Sequence, residues 1–143
     1  MSALVRRDLR RVFIDTSAFY ALADPRDGNH VEAIAARRVL TDTRSRLYTS
    51  NFVLAEAHGL LLGRLGRFTA LQILLDVDRS NTTIERASAT DEQRARAILA
   101  SYTDKDFSLT DAISFAIMQR LGITQAFSFD SDFAQYGFDI LRP

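Results

Sequence analysis

Five acidic side chains stand where a carboxylate could do chemistry. Asp15 ends a short apolar run, Arg11 to Ile14 (RVFI), and Asp130 ends another, Ala126-Phe127-Ser128-Phe129, with Asp132 two residues on. Asp111 opens a helical pattern that is apolar almost throughout (Ala112, Ile113, Phe115, Ala116, Ile117, Met118). Glu56 lies inside another, with Phe52, Val53, Gly59 and Leu60 at i−4, i−3, i+3 and i+4, so helical spacing predicts that it shares their packing face. A carboxylate on such a face is costly unless paired or coordinated. Each residue alone has a plainer explanation. Asp15 and Asp130 suit helix caps, Asp111 suits the positive end of a helix dipole, and Glu56 could pair with one of the seventeen arginines. If they converge, however, two carboxylates about 4 Å apart repel by roughly 4 kcal/mol at an effective dielectric of 20. Such a cluster protonates in part or binds a cation. With oxygen donors, no cysteine and only two histidines, His30 and His58, the fitting ions are Mg²⁺ or Mn²⁺. Metal-assisted phosphodiester hydrolysis is the chemistry such a site would serve.

The elements that must position these groups alternate between strand and helix. Strand patterns cover Arg11 to Ile14, Leu47 to Thr49, Thr82 to Glu85 and Ala126 to Phe129, with a last edge strand over Phe138 to Leu141. Helical patterns cover Thr16 to Leu22, His30 to Leu40, Phe52 to Leu62, Phe68 to Val77, Asp91 to Tyr102 and Asp111 to Leu121. Ser50 or Asn51 and Thr110 are the expected caps, Asp24 to Gly28 is a turn, and Gly63 and Gly66 punctuate another. Gly122 closes the helix that starts at Asp111. This order predicts an α/β domain with a mostly parallel central sheet flanked by helices. In such sheets the site lies beyond the carboxyl ends of the strands, which is where Asp15 and Asp130 fall.

The chain has 143 residues, 47% hydrophobic and 25% charged, the profile of one globular domain spanning 1–143, with residues 1–10 as an N-terminal extension. Absence of cysteine excludes a disulfide scaffold, thiolate zinc sites and cysteine catalysis. Eighteen basic residues balance eighteen acidic ones, which excludes a strongly basic nucleic-acid coat but leaves room for a local basic face. Fourteen of the acidic residues are aspartate, the short carboxylate that suits hard cations. No apolar run nears the roughly 20 residues of a membrane span, and charges in MSALVRRDLRR occupy the place of a signal peptide's apolar core. A cytoplasmic protein without membrane association is expected.

Four segments, VFIDTSAFYAL (Val12 to Leu22), TSNFVLAEAHGLL (Thr49 to Leu61), FSLTDAISFAIM (Phe107 to Met118) and FSFDSDF (Phe127 to Phe133), taken in this order and spacing, resemble the PIN-domain ribonucleases, and among them the VapC toxins of bacterial VapBC toxin–antitoxin systems. The resemblance implies a single PIN-like domain that is a Mg²⁺- or Mn²⁺-dependent endoribonuclease, the toxin of a type II pair. It places the family's acidic residues on Asp15, Glu56, Asp111 and Asp130 and its hydroxyl position on Thr16 or Ser17. Asp132 stands where the family varies between aspartate and histidine, and is a further candidate ligand. The resemblance also implies an RNA substrate, a homodimer and a cognate antitoxin near the acidic pocket.

On this reading Asp15, Asp111 and Asp130 hold the metal, and Glu56 completes the set or orients the attacking water. Thr16, Ser17 and Ser128 either fix a ligand carboxylate or cap helices. Arg64 and Arg67, on either side of Gly66, could bind RNA phosphates or stay solvated, as could Arg6, Arg7, Arg10 and Arg11. His58 is expected to be structural or at the surface, and His30 to cap a helix. Phe13, Phe52, Phe115, Phe127 and Phe129 are expected in the core. The alternatives are a housekeeping PIN nuclease in RNA processing and a catalytically inactive PIN-fold binding module. A haloacid-dehalogenase-type phosphatase and a DEDD-type exonuclease both need a second carboxylate where Ser17 stands.

Overall fold

The computed structural model describes residues 10–143. Arg6 and Arg7, with most of the expected N-terminal extension, lie outside the described residues. Five strands form one sheet: β1 (Arg11–Ile14), β2 (Arg46–Ser50), β3 (Thr83–Glu85), β4 (Gln125–Phe127) and β5 (Asp139–Ile140). Their order is β3-β2-β1-β4-β5, and every pairing is parallel. Seven helices connect and flank them: α1 (Thr16–Ala23), α2 (His30–Asp42), α3 (Asn51–Leu65), α4 (Arg67–Arg79), α5 (Ala89–Ser101), α6 (Leu109–Leu121) and α7 (Ser131–Tyr136).

A central parallel strand is covered on both faces and therefore reads as a continuous apolar run. That is why β1 carries Val12, Phe13 and Ile14 in succession, all buried. Its register sets Phe13 opposite Tyr48 of β2 and Ala126 of β4. Helix α6 is apolar on every side because it is enclosed: every residue from Ala112 to Met118 is buried, and a fully buried Phe or Ile contributes about 1.5–3 kcal/mol. Its first turn emerges at the surface, where Leu109 is exposed, and enclosure begins at Asp111. Its end is closed by Gly122 in the left-handed region (φ 69°), a conformation glycine adopts without strain. There Arg11 donates from Nη1 to the Leu121 carbonyl (2.8 Å) and from Nη2 to the Gly122 carbonyl (3.1 Å). Arg11 thus ties β1 to the C-terminus of α6 instead of belonging to a solvated basic tail.

Local expectations need several corrections. Gly63 is a helical residue, since α3 runs on to Leu65 and the chain turns only at Gly66 (φ 90°). The fourth strand stops at Phe127, because Ser128 turns away to bond Asp15 and the chain enters α7, which the alternation of FSFDSDF conceals. The edge strand is only Asp139–Ile140. Ser50 caps α3, but Ser108 and not Thr110 caps α6. His30 sits at the start of α2, where its Nδ1 lies 2.7 Å from the Ala21 carbonyl and joins α2 to α1.

Candidate active site

The carboxyl ends of β1 and β4 lie side by side, and the Asp15 N–H donates to the Phe127 carbonyl (3.0 Å). Strand order alone therefore brings Asp15 and the Ser128–Asp132 segment to one rim. Each aspartate is then fixed by the helix it begins. Asp15 caps α1, and its Oδ2 accepts from the Ser17 hydroxyl (2.9 Å), the Ser128 hydroxyl (3.0 Å) and, at 3.4 Å, the Ser17 N–H. Asp130 caps α7, with Oδ1 accepting from the Asp132 N–H (2.9 Å). Asp111 belongs to a reciprocal box with Ser108: its Oδ2 accepts the Ser108 N–H (3.1 Å), and its own N–H donates to the Ser108 hydroxyl (3.0 Å). In all three, a protein donor orients one carboxylate oxygen. At Asp111 and Asp130, among the described residues, no hydrogen bond from an N–H or hydroxyl reaches the other oxygen.

Asp111, Asp130 and Asp132 each bring a potential ligand atom within 4.8 Å of the others. Asp132 is thus central to the cluster, more so than the family pattern suggested. Burial pushes the Asp111 carboxyl up to about 7, helped by contact with Asp132 and the charges of Asp15 and Asp130; the Ser108 N–H opposes the shift. Burial also raises Asp130, with the charges of Asp132 and Glu56 adding to it. Asp15, almost fully enclosed, is raised by burial even though the Ser17 and Ser128 hydroxyls pull the other way. Among the described residues the ion pairs are those of Arg120 with Asp91 and Glu85 and of Lys105 with Asp104. Among the described residues no arginine forms an ion pair with the cluster.

Glu56 is exposed, which corrects its expected place on the packing face of its helix. Ala57, one residue on, is the buried one. Glu56 stands at the lip of the site, outside the tight group, with its charge acting on Asp130. The Thr16 hydroxyl is buried beside Asp15 and has no hydrogen-bond partner among the described residues. An orphaned hydroxyl, unused carboxylate oxygens and an all-oxygen donor set fit a hard divalent cation. Ser108 is the positioning residue that sequence reasoning missed, although Ser108-Leu109-Thr110-Asp111 carries the capping-box spacing.

The remaining candidates lie apart from the cluster. Arg64, near the end of α3, stacks on Tyr20 with its guanidinium carbon 5.2 Å from the ring centroid. Arg67 is exposed at the start of α4, and His58 is half-buried. Phe13, Phe115 and Phe127 are core residues as expected, whereas Phe52 and Phe129 are only partly buried against the core.

Comparison with known proteins agrees with this architecture. Residues 12–139 match the PIN domain family. The chain is 33% identical over 132 residues to the 23S rRNA-specific endonuclease VapC20 of Mycobacterium tuberculosis (strain H37Rv), covering 92% of this chain and 98% of that one. The crystal structure of VapC20, described as a sarcin–ricin-loop-cleaving toxin, superposes with a TM-score of 0.85 at 32% identity, over 92% of this chain and 99% of that one. FitAcB from Neisseria gonorrhoeae, at 14% identity and a TM-score of 0.61 over 92% of this chain and 97% of its own, shares the fold. The match over residues 12–139, with 33% identity to VapC20 over 92% of the chain, places the chain in the PIN domain family.

Proposed function

We propose that this chain is a Mg²⁺- or Mn²⁺-dependent endoribonuclease that acts as the toxin of a type II toxin–antitoxin pair, with ribosomal RNA as its substrate class. The observation that carries the reading is the trio Asp111, Asp130 and Asp132, crowded within 4.8 Å and neutralised by no basic side chain among the described residues. Asp15, Asp111 and Asp130, with Asp132, would hold the ion, and Glu56 at the lip would orient water or complete the set. A bound divalent ion supplies an activated water and stabilises the leaving oxygen. The chain's own contribution is orientation: Ser17 and Ser128 fix Asp15, Ser108 fixes Asp111, and the enclosed α6 keeps the rim rigid.

The substrate class follows from the likeness to VapC20, a 23S rRNA-specific endonuclease. No helix among the described residues is long and apolar enough to cross a membrane, and cytoplasmic action is part of the proposal. An antitoxin partner is supported by an apolar groove of about 360 Å³ between α1, α2 and α4, lined by Phe19, Leu22, Leu40 and Ile73. Phe68 at its edge is 78% exposed, a large apolar surface of the kind that marks a binding site. We assign the groove to an antitoxin segment and leave the exposed Leu62 and Leu65 of α3 as surface for a homodimer.

The test incubates the purified chain with bacterial ribosomal RNA and a synthetic sarcin–ricin-loop hairpin, with Mg²⁺ or Mn²⁺ and with chelator. Metal-dependent cleavage that Asp15→Asn abolishes without unfolding the chain supports the reading. No cleavage of either RNA under any metal condition removes it. Expression without a partner should arrest growth; unimpaired growth beside metal-dependent cleavage in vitro points to a housekeeping nuclease.

A further inference from the structure

Arg64 is held in an unusual way. Its guanidinium lies over the Tyr20 ring, and among the described residues it makes no ion pair. The ring is itself locked: the Tyr20 hydroxyl donates to Asp24 Oδ2 (2.7 Å), and Asp24 Oδ1 accepts the Arg26 N–H (2.9 Å). The Arg64 guanidinium also interacts with the Tyr20 hydroxyl, which leaves the remainder of its five N–H donors for another acceptor. Arg64 is exposed, so those donors are open to solvent. It also lies on the same stripe of α3 as Glu56, by way of Leu60 at i+4 and i+8. Eight residues of helix place it about 12 Å from Glu56, further than a single nucleotide reaches.

We propose that Arg64, pre-oriented on the Tyr20 ring, is a phosphate anchor that grips the RNA strand a few nucleotides from the bond cleaved at the acidic rim. The proposal rests on the nuclease reading above and deepens it by giving the substrate a direction, along α3 from Glu56 towards Arg64. The parallel N–H donors of a guanidinium fork suit a phosphate's paired oxygens. Arg64 is a positioning residue here, remote from the reacting atoms. A charge that merely complements the C-terminal dipole of α3 would need no locked ring beneath it.

The experiment measures cleavage of the sarcin–ricin-loop hairpin, and its dependence on salt, for wild type, Arg64→Ala, Arg64→Lys and Tyr20→Leu, with melting temperatures recorded in parallel. Arg64→Ala should lower kcat/KM about tenfold, with the loss in KM. It should also flatten the plot of log(kcat/KM) against log[salt] by about 0.7–0.9, the signature of one lost phosphate contact. Arg64→Lys, which keeps the helix-end charge but not the fork, should fall between, and Tyr20→Leu should resemble it. Cleavage by wild type with an unchanged salt slope in Arg64→Ala overturns the anchor and leaves the nuclease intact, whatever happens to the melting temperature. A wild type that cleaves no RNA overturns the nuclease reading and the anchor with it.

Discussion

Two aspartates occupy the same local structure and meet opposite fates. Asp91 in Ser88-Ala89-Thr90-Asp91 and Asp111 in Ser108-Leu109-Thr110-Asp111 are each the third residue of a helix, each in a reciprocal box with its capping serine, and each buried. Burial pushes both carboxyls up. At Asp91 that push is overcome by Arg120, which donates from Nε and a terminal guanidinium nitrogen at 2.9 Å each and also reaches Glu85, so the carboxyl ends below its ordinary range. At Asp111 the neighbours are Asp132, Asp130 and Asp15, and the carboxyl ends near 7. The capping box builds a helix start in both places. The tertiary partner decides whether the carboxylate becomes a strut or a ligand.

The contrast can be broken at either end. The largest effect should come from Asp111→Asn, which removes a ligand charge from the rim. Cleavage of ribosomal RNA should drop by more than the roughly hundredfold that even indirect metal partners cost, while the metal-free protein melts higher because a repulsion is gone. Retained cleavage would take Asp111 out of the site. Next, Arg120→Met should strand Asp91 without its partner. The cost should be about 2–3 kcal/mol in urea unfolding, below the 3–5 of a fully enclosed pair because the Arg120 side chain is 37% exposed. A stability unchanged within error would mean that Asp91 is not held by charge.

The pH dependence sharpens the same comparison. The folded Asp111 carboxyl sits at about 7, against an ordinary value of 3.8. Between those values the unfolded chain has released a proton that the folded chain keeps, so without metal this residue lowers stability progressively as pH rises from about 4 to 7. Asp91, shifted down, contributes stability that is present above the ordinary carboxylate range and lost on acidification below it. In chelator, Asp111→Asn should therefore gain most over wild type at pH 7.5 and least at pH 4.5, read as melting temperature. An equal gain at both values would contradict a raised Asp111. The smallest effect is expected from Ser128→Ala. It removes one of the two hydroxyls on Asp15 and should cost about 10–100-fold in cleavage, with the loss of activity exceeding any loss of stability.

Long-range placement was legible where topology is carried by strong patterns. The RVFI run, the alternation of strands with helices and the apolar α6 dictate a parallel sheet whose carboxyl ends share a rim, and that is enough to bring Asp15 and Asp130 together. The two-residue spacing from Asp130 to Asp132 hid α7, because a six-residue helix has too few turns to show a period against FSFDSDF. Helical spacing puts Glu56 on the wrong face because α3 is apolar on more than one side, with Leu60, Leu62 and Leu65 all exposed. Helical spacing cannot tell a packing face from an exposed apolar one. The Arg120–Asp91–Glu85 network was not foreseen, since nothing local distinguishes that arginine from the others.

On the proposed reading the crowded carboxylates at the rim hold a divalent cation. Calorimetric titration of Mn²⁺ into the metal-free chain at pH 7.5 tests this, with wild type beside an Asp111→Asn/Asp130→Asn double variant of confirmed fold. Saturable uptake by wild type that the double variant loses is the expected result. No uptake by wild type, or equal uptake by both proteins, would contradict it.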